Sequence, residues 1–103
     1  MYLNVFRSRK RAGHDAAAYQ ADAARMGALA AAQPGFVEYK SFAADDGESV
    51  TVSVWDSEAA ARAWAAHPEH RLAQERGRAD YYESFTMFTC ADAAVRSFRR
   101  EPA

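Results

Sequence analysis

The sequence is poor in the features that stabilise many small proteins through cross-links. It has one cysteine, Cys90, which excludes an internal disulfide and a zinc site built from several thiolates. Isoleucine is absent, and leucine, valine and phenylalanine together number 15, whereas alanine contributes 25 of the 103 residues. Large aliphatic side chains are therefore scarce, and we expect the aromatic residues, 13% of the chain, to supply much of the buried surface.

The sequence also lacks an excess of charge and a long apolar run. Thirteen basic residues balance fourteen acidic ones, which excludes the strong basic excess typical of nucleic-acid-binding domains. No apolar run approaches the roughly 18 residues of a membrane span, and the first eleven residues do not resemble a signal peptide. We expect a soluble, cytoplasmic protein with neither a nucleic acid nor a membrane as its partner.

The length fits one domain, residues 1–103, with a core at about 2–90 and a basic tail at 91–103. A core with so few large aliphatic side chains gains from self-association, because apolar area buried against a second copy contributes roughly 25 cal/mol per Å². We therefore predict a homodimer.

Alternation, capping residues and turn residues predict four strands and three helical segments. Pro34 and Gly35 end the first helix, the Asp45-Asp46-Gly47 cluster makes a hairpin turn, and Pro68 separates the second helical segment from the third. The predicted elements are a strand at 2–7 followed by a basic surface loop to residue 11, a helix from Asp15 to about Gln33, strands at 36–42 and 49–55, a helix from Ser57 to about Ala66, a helical piece from Pro68 to about Ala79, and a strand at 82–90.

This order, strand, helix, strand, strand, helix, strand, predicts a ferredoxin-like α+β fold. Its four-stranded antiparallel sheet carries the helices on one face and leaves the other face free. Val50, Val52 and Val54 share one face of the third strand, and that strand contains no charged residue. We expect the free faces of two copies to close on each other as a dimeric α/β barrel.

Four segments, in order, resemble the antibiotic biosynthesis monooxygenase family: QPGFVEY at 33–39, TVSVWDSEAA at 51–60, AWAAHPEH at 63–70 and AQERGR at 73–78. The resemblance extends over about residues 2–90. It implies a dimeric α+β barrel with a small-molecule pocket between the sheet and the helices of each subunit. Members of the family include cofactor-independent oxygenases of quinols and other electron-rich aromatics, and a branch that binds and degrades haem.

The resemblance also implies an active pair, an asparagine on the first strand and a tryptophan on the second helix. The matching residues are Asn4 and Trp64. A carboxamide at residue 4 could both donate to and accept from an oxygenated ligand. The alternative is that Asn4 satisfies a backbone group and that Trp64 fills the space between helix and sheet.

Oxygenation without a cofactor requires removal of a proton from a phenol or quinol, because the electron-rich anion is what reduces dioxygen. His67 and His70, on either side of Pro68, are the available bases. We expect one of them to point inward, with a slight preference for His67 because it is closer to Trp64 in sequence. The alternative is an exposed histidine at a helix junction.

The pocket is expected to be lined by aromatic and apolar side chains on the same faces as this pair. Tyr82 fits the phase of Phe88 on the last strand, opposite to Phe85 and Met87. The basic residues at 7–11 and 96–100 are expected to be solvated surface without a partner. The predicted substrate-binding residues are Phe6, Met26, Trp55 and Tyr82.

We predict that the protein needs no bound cofactor or metal. In the haem branch, the resemblance calls for an axial histidine about nine residues beyond the tryptophan, where this chain has Ala73 and then Gln74. His70 could serve only if the helix were shifted, and Pro68 disturbs the spacing that a histidine pair would need to bind a metal. The leading hypothesis is therefore a dimeric monooxygenase that combines dioxygen with a small aromatic, quinol or polyketide-like substrate. The alternatives are haem degradation and non-catalytic binding of a small molecule.

Overall fold

The computed structural model describes residues 1–102, in which four antiparallel strands form one sheet with helices on one side. The strand order is β2-β3-β1-β4, so the predicted ferredoxin-like α+β fold is confirmed. The elements are β1 (Tyr2–Lys10), α1 (Ala16–Ala31), β2 (Phe36–Ala43), β3 (Ser49–Trp55), α2 (Glu58–Ala65), α3 (Pro68–Arg76), a π-helical turn (Gly77–Tyr81) and β4 (Tyr82–Cys90).

The helices begin where the capping residues predict. The Asp15 carboxylate accepts a hydrogen bond from the Ala18 amide, and the Ser57 hydroxyl accepts one from the Ala60 amide. These bonds satisfy amides that have no partner within the helix. At the start of α3, Pro68 occupies the first turn, where its missing N–H costs nothing.

The strand register separates the sheet into a helix-facing side and an open side. Asn4 of β1 lies opposite Ser53 of β3, and Ser8 lies opposite Ser49, so these residues share the helix-facing side with Trp55. Alternate residues point to the open side, where Val5 lies opposite Val52. The open side carries the three valines of β3, as the alternation predicts.

The prediction of a surface loop at residues 7–11 is wrong, because β1 continues to Lys10. Arg7 and Arg9 point to the open side and form ion pairs at 2.8 Å with Glu48 and Asp46 in the β2–β3 turn. β1 reaches Lys10 through its pairing with β4, and the alternation along the strand places Lys10 on the helix-facing side.

The prediction that Tyr82 shares a face of β4 with Phe88 is also wrong. Ser84 lies opposite Arg9 and Tyr82 lies opposite Lys10, so Glu83 is an additional residue in a β-bulge. The bulge shifts Tyr82 by one face, away from Phe88. The ring of Tyr82 lies 5.5 Å from that of Phe6 on the helix-facing side.

The α-helix α3 ends at Arg76, before the predicted end at about Ala79. After Arg76 the chain continues through the π-helical turn, and Tyr82 then enters β4. The ring of Tyr82 lies directly over Gly77, where an added Cβ would come within 2.7 Å of a ring carbon. Glycine at this position therefore allows the Tyr82 ring to pack against the turn.

The core is small and lies between β3 and the helices. It is formed by Met26, Ala30, Trp55, Ala61 and Trp64. Cys90 is exposed at the end of β4. Residues 93–102 of the tail contain no helix or strand, and Ala103, the last residue of the predicted tail, lies outside the described residues. Within residues 1–102, no helix is long and apolar enough to cross a membrane.

Candidate active site between the helices and the sheet

Trp64 brings the two candidate histidines together at the junction of α2 and α3. Its ring is 8% exposed and belongs to the core. The His70 ring stacks on the indole with a centroid distance of 4.3 Å and an interplanar angle of 17°. The His67 ring lies farther away, at 5.5 Å and 47°. His67 is closer to Trp64 along the chain, but His70 is closer in space.

Hydrogen bonding fixes the tautomer of His70. Its Nδ1 lies 3.0 Å from the carbonyl oxygen of Trp64. A carbonyl can only accept, so Nδ1 carries the proton and Nε2 of the neutral ring keeps its lone pair. Burial lowers the pKa of His70 below its usual value of 6.5. His70 is therefore a neutral base at physiological pH.

His67 has the opposite arrangement, because its Nδ1 accepts a hydrogen bond from the Glu69 amide at 3.2 Å and caps α3. The neutral ring then carries its proton on Nε2, which can donate but cannot accept. This geometry favours His67 as a helix cap and His70 as a proton acceptor.

Asn4 lies on the helix-facing side of β1 with its side-chain oxygen unpaired. Oδ1 is buried and has no hydrogen-bond partner among residues 1–102. The indole N–H of Trp55, two residues beyond Ser53 on the neighbouring strand, is likewise buried and unpaired. A buried polar atom without a partner carries a free-energy cost that an oxygenated ligand could relieve.

The sheet presents polar side chains to the helices. Ser8 is buried, and the Ser41 and Thr51 hydroxyls lie 2.7 Å apart on neighbouring strands. This is the reverse of an ordinary two-layer domain, whose helix-facing sheet surface is apolar. We call this set the polar floor; it comprises Asn4, Ser8, Ser41, Ser49, Thr51 and Ser53.

Aromatic rings flank the polar floor at the β4 edge. Phe6 contacts Phe85 at 5.3 Å, and Tyr19 of α1 lies 6.0 Å from Tyr82. The hydroxyls of Tyr82 and Tyr19 lie 3.5 Å apart. Burial raises the pKa of Tyr82, so its phenol stays protonated and can donate a hydrogen bond.

The residues predicted to bind substrate fall into two groups. Met26 and Trp55 pack with Trp64 in the core, and Trp55 is only 1% exposed. Phe6 and Tyr82 lie in the aromatic group at the β4 edge. Asn4 lies between the two groups, because it is two residues from Phe6 and its neighbour Tyr2 packs against the core.

Lys10 is expected from the sequence to be solvated surface, but the structure places it at the end of the polar floor. Its Nζ lies 3.1 Å from the Ser49 hydroxyl and 4.5 Å from the centre of the Tyr19 ring. The sequence indicates this face for Lys10, because the alternation of Asn4, Phe6 and Ser8 continues through Lys10.

The side chains beyond Trp64 do not fit the axial ligand of a haem. Gln74 directs its Nε2 toward the Ala65 carbonyl at 3.4 Å, and Ala73 packs against the core. Neither can replace an imidazole as an iron ligand. Among residues 1–102, no group of three or more His, Cys, Asp or Glu side chains is arranged to hold a metal ion.

Comparisons with known proteins agree with this architecture. Residues 1–76 match the profile of the antibiotic biosynthesis monooxygenase family. The uncharacterised protein YqjZ of Bacillus subtilis (strain 168) is 46% identical over 69 residues, which are 67% of this chain and 60% of that protein. This chain therefore aligns with about three fifths of its relative's length.

Solved structures with a similar fold include the following two. SnoaB, a cofactor-independent oxygenase from Streptomyces nogalater, superposes with a TM-score of 0.69 at 26% identity, covering 89% of this chain and 94% of its own. A candidate antibiotic biosynthesis monooxygenase from Deinococcus radiodurans superposes with a TM-score of 0.83 at 14% identity, covering 97% and 100%. The Deinococcus similarity concerns the fold alone.

Proposed function

This chain belongs to the antibiotic biosynthesis monooxygenase family, and on that premise we propose that it is a monooxygenase that oxidises a small phenol or quinol without a bound cofactor. The description of SnoaB as a cofactor-independent oxygenase supports the absence of a cofactor. The observation that carries the proposal is the half-buried His70, whose Nδ1–H bond to the Trp64 carbonyl leaves Nε2 as a proton acceptor beside the indole.

The proposed reaction draws all its electrons from the substrate. A phenol with a free para C–H position reacts with dioxygen to give a quinone and water. One oxygen atom enters the ring, and the other leaves as water with the two hydrogens that the substrate loses. Deprotonation of the phenol is the step that requires protein chemistry, because the phenolate is a much stronger reductant than the phenol.

Each proposed catalytic residue has one role. His70 accepts the phenolic proton on Nε2, and its Nδ1–H bond to Trp64 orients the ring. Asn4 orients the substrate oxygen by donating a hydrogen bond from Nδ2, because the single phenolic proton goes to His70, and Trp64 encloses the base in an apolar setting that keeps it neutral. His67 acts indirectly, since it caps the helix that carries His70.

The working form is proposed to be a cytoplasmic homodimer. Phe42 and Phe88 are half-exposed on the open side of the sheet, which also carries the valines of β3. Large apolar side chains clustered on one exposed sheet face favour association. An exposed, free Cys90 is consistent with a reducing compartment.

Oxygen consumption tests the proposal. Purified protein treated with a metal chelator is given 1-naphthol in an oxygen electrode, and 1,4-naphthoquinone is measured by absorbance. We expect one dioxygen consumed per quinone formed, without hemin. Hemin titration is the companion measurement, and no tight complex with a shifted Soret band is expected.

Two results would contradict the proposal. Turnover that appears only with added hemin would favour haem chemistry. Absence of oxygen consumption with a panel of phenols and quinols, combined with their raising the melting temperature, would favour a non-catalytic binding protein.

A further inference from the structure

The end of the polar floor carries a positive charge that the protein itself does not neutralise. The ion pairs found within residues 1–102 involve arginines only, and Lys10 is in none of them. Its half-buried ammonium contacts the Ser49 hydroxyl and the face of Tyr19. An ammonium has three hydrogens to donate, so a neutral hydroxyl and a ring face leave it capacity for an anion.

Arg11 adds a second positive charge next to Lys10 in the chain, and its guanidinium donates to the Ala79 carbonyl at 3.2 Å. The acidic residue nearest in sequence, Asp15, uses its carboxylate to cap α1. The two side chains that contact the Lys10 ammonium, Ser49 and Tyr19, are uncharged, so neither supplies a counter-charge.

A ligand can reach Lys10 from the β4 edge, where the helices do not cover the sheet. Phe85 is 43% exposed and Met87 is 50% exposed, although both lie on the helix-facing side opposite Ser8 and Phe6. Together with Phe6 they form an apolar ledge beside the polar floor. A flat aromatic ring fits a surface of this composition.

The strand geometry sets the length of such a ligand. The Lys10 ammonium binds Ser49, which lies opposite Ser8, four residues along β1 from Asn4. At about 3.3 Å per residue, the backbone positions of Asn4 and Ser8 are about 13 Å apart, and we take this as the length of the floor between the carboxamide and the ammonium. Subtracting a hydrogen bond of about 3 Å at each end leaves about 7 Å between two ligand oxygens, which is the span of a two-ring aromatic.

We infer that Lys10 determines substrate specificity by binding a carboxylate, and that the substrate is an acidic phenol of about two fused rings with its carboxylate on the ring remote from the hydroxyl. This inference rests on the proposed function, because the phenolic oxygen is placed at Asn4. Phe6 and the apolar ledge hold the rings between the two ends.

Calorimetry with matched ligands tests the inference. The ligands are 5-hydroxy-2-naphthoate, its methyl ester and 1-naphthol, titrated into the wild-type protein. A charge-assisted hydrogen bond in a half-buried site predicts that the acid binds about tenfold more tightly than the ester. Equal affinities, or no binding of either compound at millimolar concentration, would overturn the inference without requiring any variant.

Three variants test whether Lys10 is the residue that gives the preference for the acid over the ester. Lys10→Met should bind acid and ester equally, and Lys10→Arg should keep the preference for the acid. Lys40→Met is the matched control, because Lys40 is the other lysine of the chain and lies over Phe42 on the open side; it should behave as wild type. An acid preference that survives in Lys10→Met would assign recognition to another residue and overturn the inference.

Oxygen consumption separates this inference from the proposed function. Turnover of 1-naphthol by a protein that binds acid and ester equally would reject the role of Lys10 and leave the oxygenase intact. A Lys10-dependent acid preference without oxygen consumption would reject the oxygenase and leave the binding site intact.

Discussion

At the scale of single residues, His67 and His70 engage the same ring nitrogen, Nδ1, but their hydrogen bonds run in opposite directions. His70 donates from Nδ1 to a carbonyl, whereas His67 accepts on Nδ1 from an amide. The order of residues could not reveal this difference, because Pro68 starts a new helix and changes the direction of the chain between them. The sequence offers both histidines as candidate bases, with a slight preference for His67, and the geometry favours His70.

Replacing His70 tests its role as the base. His70→Gln keeps a polar side chain but removes the proton acceptor, so we expect kcat/KM for 1-naphthol to fall at least about 100-fold, the usual worth of a general base. The matched variant is His67→Asn, which retains a helix-capping side chain and should stay within about threefold of wild type. The reverse pattern would make His67 the base.

The pH profile gives a second test of His70. Burial lowers its pKa, so the neutral, active form persists to more acidic pH than a free imidazole allows. We expect kcat/KM for 1-naphthol to rise with pH, with its midpoint below 6.5, and then to reach a plateau. A midpoint at or above 6.5, or the same acidic limb in His70→Gln, would exclude His70 as the titrating group.

At the scale of the elements, the turn between α1 and β2 depends on glycine. Gly35 has φ of +81°, and an added Cβ would lie 2.5 Å from the Ala60 Cβ and from Asp56 Oδ1. Gly13 has a similar φ of +77° but nothing within 4 Å of such a Cβ. The two positions share the backbone requirement and differ in packing.

Substituting alanine for Gly13 and for Gly35 separates the cost of backbone strain from the cost of a steric clash. Gly13→Ala should lower the free energy of unfolding by about 1 kcal/mol, because a left-handed backbone disfavours a side chain. Gly35→Ala should cost clearly more, about 3 kcal/mol, since α2 must also move away. Urea denaturation followed by tryptophan fluorescence measures both, and equal losses would contradict the role given to the contact with α2.

A polar network joins α1 to α3 and the π-helical turn. Asp22 accepts hydrogen bonds from Arg76 at 2.8 Å and from the Tyr81 hydroxyl at 2.7 Å. These bonds lower the pKa of Asp22, with the Arg76 bond the larger cause. The network holds the turn from which Tyr82 enters β4 beside the aromatic group.

The network predicts a pH-dependent contribution to stability. A carboxylate with a lowered folded-state pKa stabilises the fold above its ordinary pKa of 3.8, and the contribution is lost as the pH falls below that value toward the folded-state pKa. Asp22→Asn should therefore cost about 1 kcal/mol at pH 7 and progressively less below pH 3.8. Asp45→Asn, at an exposed turn position, is the control and should change little. A loss independent of pH would contradict the ionic network.

The sequence predicted those elements of the fold that depend on local signals. The two capping residues, the prolines and the strand alternation located every helix and strand, because each acts within a few residues. The β-bulge at Glu83 and the extension of β1 to Lys10 depend on pairing with distant strands and on Glu48 and Asp46. The bulge moves Tyr82 to the helix-facing side, and the longer β1 brings Lys10, whose face follows from the alternation, into the candidate site.

At the scale of the whole molecule, the small core and the apolar side chains on the open side of the sheet both favour association of two copies. The core has five buried members, four of them from helices. Area buried between two open sides would add apolar burial to this small core. The scarcity of large aliphatic residues in the sequence predicts the same benefit from a second copy.

A charge at the centre of the open side tests the dimer. Val5 lies on β1 between Val52 of β3 and Phe88 of β4. Val5→Asp would bury an unpaired carboxylate in the interface, so we expect the dimer dissociation constant to rise at least about 100-fold. Phe98→Ser is the control, because Phe98 is 84% exposed in the tail. A monomeric wild-type protein in sedimentation equilibrium at micromolar concentration would refute the dimer.

The origin of the oxygen atom in the product tests the central claim most directly. Chelator-treated protein is incubated with 1-naphthol under ¹⁸O₂, and the quinone is analysed by mass spectrometry immediately after formation. Our account predicts one labelled oxygen atom per quinone, with the second labelled atom in water and with incorporation lost in His70→Gln. A quinone whose new oxygen comes from solvent, or labelling unchanged in His70→Gln, would contradict it.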